Sequence, residues 1–124
     1  MKFRIWNENT KSFCQLGEYF VSSHGNVYHF EPMDNELVYD GNCVVQLSTG
    51  LFDRTGMEIY EGDLVQRKQP HGQIYKCEYS LEEAGYVLKF YNDFLYLSDF
   101  KDLLVVGNIF ENNDEDDYKG MDKD

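Results

Sequence analysis

Thr49-Gly50-Leu51-Phe52-Asp53-Arg54-Thr55-Gly56-Met57-Glu58-Ile59-Tyr60-Glu61-Gly62-Asp63-Leu64-Val65 decides the fold of this chain. Two tight turns bracket short runs of alternating apolar residues, and the glycines recur too densely for a helix to survive them. The stretch therefore reads as β-hairpin. Overlapping its end, residues 58–67 run Glu-Ile-Tyr-Glu-Gly-Asp-Leu-Val-Gln-Arg. The Glu61-Gly62-Asp63 step is where a strand bulges or turns sharply, with Gly62 present for backbone geometry.

Working outward, residues 67–73 form an exposed connection, because Pro70 cannot donate to a ladder and Gly72 permits reversal. Residues 74–79 and 86–91 are two further strands. Between them Ser80-Leu81-Glu82-Glu83 matches a capping box, but Gly85 follows within one turn, so a helical turn is expected and no helix. Residues 98–104 carry the best helical candidate, with Ser98 or Asp99 as cap and Phe100, Leu103 and Leu104 at the spacing of one face. Residues 105–110 read as a closing strand. Toward the N-terminus, residues 2–6 alternate as a half-buried strand, Phe3 and Ile5 on one face and Lys2, Arg4 and Trp6 on the other. Residues 13–16, 19–22 and 26–30 are short β-favouring runs. Ser23-His24-Gly25-Asn26 is a hairpin loop with Gly25 or Asn26 supplying positive φ, and Asp40-Gly41-Asn42 separates residues 37–39 from 43–47 in the same way.

Ten Tyr and nine Phe contribute to an aromatic content of 16% in 124 residues, enough large apolar area to offset chain entropy and a composition that favours sheet. One domain over residues 1–112 is expected, followed by an acidic disordered tail at 113–124 that lacks any apolar periodicity. No apolar run approaches the ~20 residues of a membrane span, and the first residues lack a secretion signal's apolar stretch, so a cytoplasmic protein is expected. Cys14, Cys43 and Cys77 are widely spaced, with no Cys-x-x-Cys and no histidine placed to complete a zinc set; they read as small buried hydrophobes in a reducing compartment, and no metal or cofactor is expected.

The charge is lopsided, 11 basic against 23 acidic residues, net −12. From position 111 onward seven acids face two lysines, leaving −5 there and −7 in the rest. Such a surface repels phosphate backbones, so nucleic acid is a poor partner and a basic one a better fit.

Three blocks resemble the YopX family of small phage and prophage proteins: Lys2, Phe3, Arg4 and Trp6; the central stretch of residues 49–65; and Val105 to Asn112, which reads Val-Val-Gly-Asn-Ile-Phe-Glu-Asn. In this family Gln-Tyr usually precedes the Thr-Gly step, and Leu47-Ser48 stand there instead. The resemblance implies phage or prophage origin, a small β-rich domain, self-association, and no established activity.

Asp53, Glu58, Glu61 and Asp63 are four carboxylates close in sequence that on converging strands could hold a cation such as Mg²⁺ or serve acid-base chemistry. The competing reading, favoured here, has Asp53 capping the turn before Gly56 and Glu61 and Asp63 accepting backbone N–H groups at a bend. His24, His29 and His71 lie in or beside expected turns away from that block, and no Gly-x-Ser-x-Gly, His-Glu-x-x-His or phosphate-binding glycine loop is present. An enzyme is not expected. Arg67, Lys68, His71 and Lys76 beside Tyr75 and Tyr79 are the candidate binding residues, since lysines next to stacking aromatics are how single-strand binders work. Against the acidic background a solvated loop, with the tyrosines in the core or at an interface, is the better reading.

The expected fold is mainly β, a small barrel or bent antiparallel sheets, SH3-like in part, with one short helix near the C-terminus; α+β is the alternative. The expected function is that of an accessory protein acting through protein contacts and as a homo-oligomer. The alternatives are an acidic nucleic-acid mimic that inhibits a host protein, or a nucleic-acid-binding module. Some of Phe94, Tyr96 and Tyr91 are expected to face a partner subunit.

Overall fold

The computed structural model describes residues 2–15, 17, 19–68, 72–91 and 93–111. The expected tail at 113–124 and the readings of Pro70 and His71 lie outside the described residues. The chain divides into two compact units, Met1–Leu47 and Ser48–Asp124. All strand pairs are antiparallel.

In the first unit, β1 (Phe3–Asn7) lies between β2 (Ser12–Phe13) and the opening half of β6 (Cys43–Phe52). The turn after β1 is closed by Asn7, whose Oδ1 accepts the N–H groups of Asn9 and Thr10, and Lys11 completes it at φ 56°. Ile5 and Trp6 are both buried, so the strand is covered on both faces where one was expected. Trp6 packs edge-on against Phe13 at 4.9 Å, and Arg4 sits over the same ring while its Nε donates to the buried Gln46. A second sheet holds β3 (Tyr19–Val21), β4 (Val27–Glu31) and β5 (Glu36–Tyr39) in that order. Gly25 turns the first hairpin at φ 83°, a conformation that other residues adopt only with strain. Asn35 at φ 52° helps to turn the second. The register sets Phe20 opposite Tyr28, Tyr28 opposite Tyr39 and Phe30 opposite Leu37, so one face is apolar from edge to edge.

In the second unit, the closing half of β6 pairs with β7 (Glu58–Tyr60), with an irregularity between Ser48 and Phe52 where Gly50 takes φ 79°. A five-stranded sheet follows the order β11-β10-β9-β8-β12: β8 (Asp63–Arg67), β9 (Ile74–Ser80), β10 (Gly85–Phe90), β11 (Asp93–Tyr96) and β12 (Leu103–Asn108). Alternation along its strands gives one face to a core of Ile59, Val65, Cys77, Leu88, Leu97 and Leu103, and sets Leu64 and Ile74 against Val106 and Ile109 in a second cluster. Ser80 Oγ accepts the Glu83 N–H, as the capping-box reading requires, and Ala84 ends that turn at φ 53°.

The fold is mainly β, as expected, built of curled antiparallel sheets. The short helix expected over 98–104 does not form, and the α+β alternative falls with it. Only Leu97–Asp99 make a 3₁₀ turn, and Leu103 and Leu104 belong to β12. Seven residues cannot offset the cost of helix nucleation by propensity. Pairing with β8 buries Leu103 to 2% exposure, and that burial contributes about 2 kcal/mol against the few tenths that helix propensity offers. Strand β11 was not read from the sequence.

Candidate functional site

The four carboxylates of the central block do not converge on a common point of chemistry. Asp53, 6% exposed, accepts hydrogen bonds at Oδ1 from the Thr55 N–H at 2.8 Å, the Thr55 hydroxyl at 2.6 Å and the Met57 N–H at 2.9 Å. Its Oδ2 accepts the Val105 N–H at 3.0 Å, which ties the turn to β12. Burial alone would raise this carboxyl's pKa; the Thr55 hydroxyl and the three backbone N–H groups outweigh it and hold the group down at about 2. Asp53 thus caps the turn before Gly56, as read. Asp63, 1% exposed, accepts the Tyr60 N–H across the bend, Glu58 accepts the Ser48 hydroxyl, and Glu61 lies near Tyr86. Between them Gly62 holds φ 88°, donating to the Cys77 carbonyl and accepting from Ile109. Among the described residues no group of three or more His, Cys, Asp or Glu is placed to hold a metal ion.

The candidate binding residues are dispersed. Tyr75 packs against the main core and edge-on to Phe90 at 6.3 Å, so its ring is not offered to a base. Lys76 follows on the opposite face of β9, paired with Glu78 at 3.0 Å, which also meets Lys89 at 3.4 Å. Arg67 lies over the Phe100 ring at 4.3 Å. Lys68 is exposed, its N–H donating to Asp102 at 3.3 Å. Four residues close in sequence thus face different surroundings, and among the described residues they form no stacking platform beside a cationic groove.

A polar cluster that the sequence reading missed lies in the first unit. His29 Nδ1 is 2.7 Å from Asp40 and its Nε2 is 2.6 Å from Glu31. Ionised carboxylates only accept, so holding both bonds requires the doubly protonated imidazolium. The hydrogen bonds to Asp40 and Glu31 accordingly raise the His29 pKa above its usual value. Nearby, Tyr19 is raised mainly by its hydrogen bond with Cys14, and burial pushes the Cys43 thiol up to about 11. Cys43 is a protonated thiol at neutral pH and therefore a poor nucleophile. Glu31 could have been paired with His29 from its i+2 spacing on a strand; Asp40, eleven positions away, could not.

Besides Leu51, Phe52 and Met57 at the β6–β7 connection, exposed apolar side chains gather on one sheet in each unit. In the first, Phe20, Phe30, Leu37 and Tyr39 are 52%, 44%, 56% and 60% exposed on the three-stranded sheet. Beside them Gly17, Tyr19, Phe20, His29 and Phe30 line a groove of about 460 Å³. In the second unit, edge strand β11 presents Phe94 and Tyr96, 43% and 44% exposed, with Tyr91 at 59% in the turn before it. Tyr96 donates its hydroxyl to Glu83 at 2.7 Å. Phe94 also borders a groove of about 370 Å³ with Val87, Tyr79 and Leu81. Among the described residues no helix is long and apolar enough to cross a membrane.

A family model described as "YopX protein" matches residues 2–114. No curated protein matches the chain. Among solved structures, protein EF1440 from Enterococcus faecalis is similar at 24% identity and a TM-score of 0.64, over 91% of this chain and 95% of that one. Protein yopX from Bacillus subtilis is similar at 13% identity and a TM-score of 0.56, over 90% and 94%. At these identities the two structures speak to the fold.

Proposed function

The chain belongs to the YopX family, and we propose that it is a non-enzymatic accessory protein of a phage or prophage, acting through protein contacts and self-association. The observation that carries this reading is the aromatic edge of β11. An edge strand leaves a row of backbone N–H and C=O groups unpaired, and proteins ordinarily blunt such an edge with charge, proline or a cover. Here the outward positions are Phe94 and Tyr96, and Tyr91 precedes them, all about half exposed. A second copy laid along β11 would satisfy the backbone groups and cover the rings together.

Light scattering across micromolar concentrations tests it: a mass that is a multiple of 14.6 kDa is expected, falling toward the single-chain value for Phe94→Lys. A single-chain mass throughout for the unaltered protein overturns self-association. The net charge of −12 favours a second reading, a carboxylate-bearing inhibitor that occupies a basic host protein in place of nucleic acid. Its signature is competition with DNA for a basic protein, with an affinity that falls steeply as salt rises.

A further inference from the structure

The three-stranded sheet of the first unit combines two properties that rarely occur together. One face carries Phe20, Phe30, Leu37 and Tyr39, each 44–60% exposed, and the register aligns them with Tyr28 into one continuous strip. The segment that builds the sheet, residues 17–42, contains Glu18, Glu31, Asp34, Glu36 and Asp40 and neither lysine nor arginine. Asp34 and Met33, the latter 94% exposed, stand in the β4–β5 turn at one end of the strip, and Glu31 and Glu36 pair beside that turn on the opposite face of the sheet. Monomeric proteins leave apolar patches of a few hundred Å² uncovered chiefly where something docks.

Charge and area together select the occupant. A second copy related by a two-fold axis would bring together two segments that each carry five acids and neither lysine nor arginine. Four half-exposed large side chains offer roughly 400 Å², about half of the ~800 Å² per partner that a stable globular interface buries. That area suits a short segment with apolar anchors, and the rim suits cationic flanks on that segment. We propose that this face docks a basic amphipathic segment of a partner protein, its apolar side chains covering Phe20, Phe30, Leu37 and Tyr39 while its lysines or arginines meet the acidic β4–β5 turn at Asp34. The proposal rests on the protein-contact reading above and gives it a surface separate from the β11 edge.

The test uses the full chain and three short synthetic peptides, alternating Leu-Lys, Leu-Glu and Ser-Lys, with binding followed by fluorescence anisotropy and by backbone amide shifts. The Leu-Lys peptide is expected to bind and to shift amides of β3, β4 and β5, and the other two to bind at least about tenfold more weakly. Phe30→Ser with Leu37→Ser, and separately Asp34→Lys, should each weaken the Leu-Lys peptide about tenfold or more. All three positions are exposed, and thermal melts confirm that the variants fold. Phe94→Ser should leave peptide binding unchanged. Equal binding of the Ser-Lys peptide, amide shifts confined to other strands, or loss of self-association on Phe30→Ser with Leu37→Ser would each overturn the proposal. A single-chain mass with Leu-Lys binding intact removes self-association alone and supports this docking face.

Discussion

Asp53 shows how one side chain can hold a connection together at the scale of a residue. Its two oxygens take four donors from three residues, Thr55, Met57 and Val105, so the ionised form is strongly preferred in the native state. A carboxyl held at about 2 where 3.8 is usual contributes stability that is complete above pH ~4 and is lost as the pH falls through the native value. The amount is about 2 kcal/mol. Asp53→Asn should be destabilising by about 2–3 kcal/mol, because its amide NH₂ must face at least one N–H donor. Chemical denaturation at pH 7 and at pH 2.5 checks both statements, the gap between wild type and variant narrowing at the lower pH. His29 runs the other way. Its native pKa is raised, so its stabilisation is fully present below pH ~6.5 and is lost as the pH rises through the native value. The melting temperature of wild type should exceed that of His29→Gln by more at pH 5.5 than at pH 8.5.

At the scale of elements, the bend between β7 and β8 turns on Gly62. Its φ of 88° and its two backbone bonds, to Cys77 and from Ile109, leave no room for a residue that needs negative φ. Gly62→Val should cost on the order of 1–3 kcal/mol or prevent soluble expression, while Gly120→Val, in a stretch without apolar periodicity, should leave the melting temperature unchanged. Equal tolerance at both positions would reopen Asp63 and Glu61 as ligands. The bend was legible because glycine between acids within an alternating apolar run has few other uses. Most strands were legible for the same reason, their period of two surviving between turn residues. Two elements were not. Phe100, Leu103 and Leu104 share a helical face, but Leu103 is claimed by pairing with β8, a partner 36 positions away that no local pattern announces. Asp93-Phe94-Leu95-Tyr96 is a four-residue run whose strand character comes from pairing with β10. The candidate binding residues are dispersed for a related reason: adjacency in sequence places Tyr75 and Lys76 on opposite faces. Alternation likewise could not reveal the strip of Phe20, Phe30, Leu37 and Tyr39, because residues 19, 21 and 27 give the other face apolar character too.

For the molecule as a whole, the net charge of −12 sets what approaches it. Short single- or double-stranded DNA should show no measurable affinity at moderate salt, because Lys76 and Lys89 already share Glu78 and, among the described cationic candidates Arg67, Lys68 and Lys76, only Lys68 is exposed. Micromolar binding that vanishes on Lys68→Glu with Tyr75→Ala would instead establish a nucleic-acid module. One further property follows from the turns. Lys11, Asn35, Ala84 and Tyr91 sit at φ between 52° and 56°, where a side chain crowds its own backbone at about 1–2 kcal/mol each. Glycine would fit every one of these corners better, and for Tyr91 the loss is instructive: the chain keeps a bulky ring, 59% exposed, at a position that thermodynamics would give to glycine. Tyr91→Gly should therefore melt higher than the natural protein and assemble less well, the mark of a fold that forgoes robustness in isolation to stay adhesive at its border.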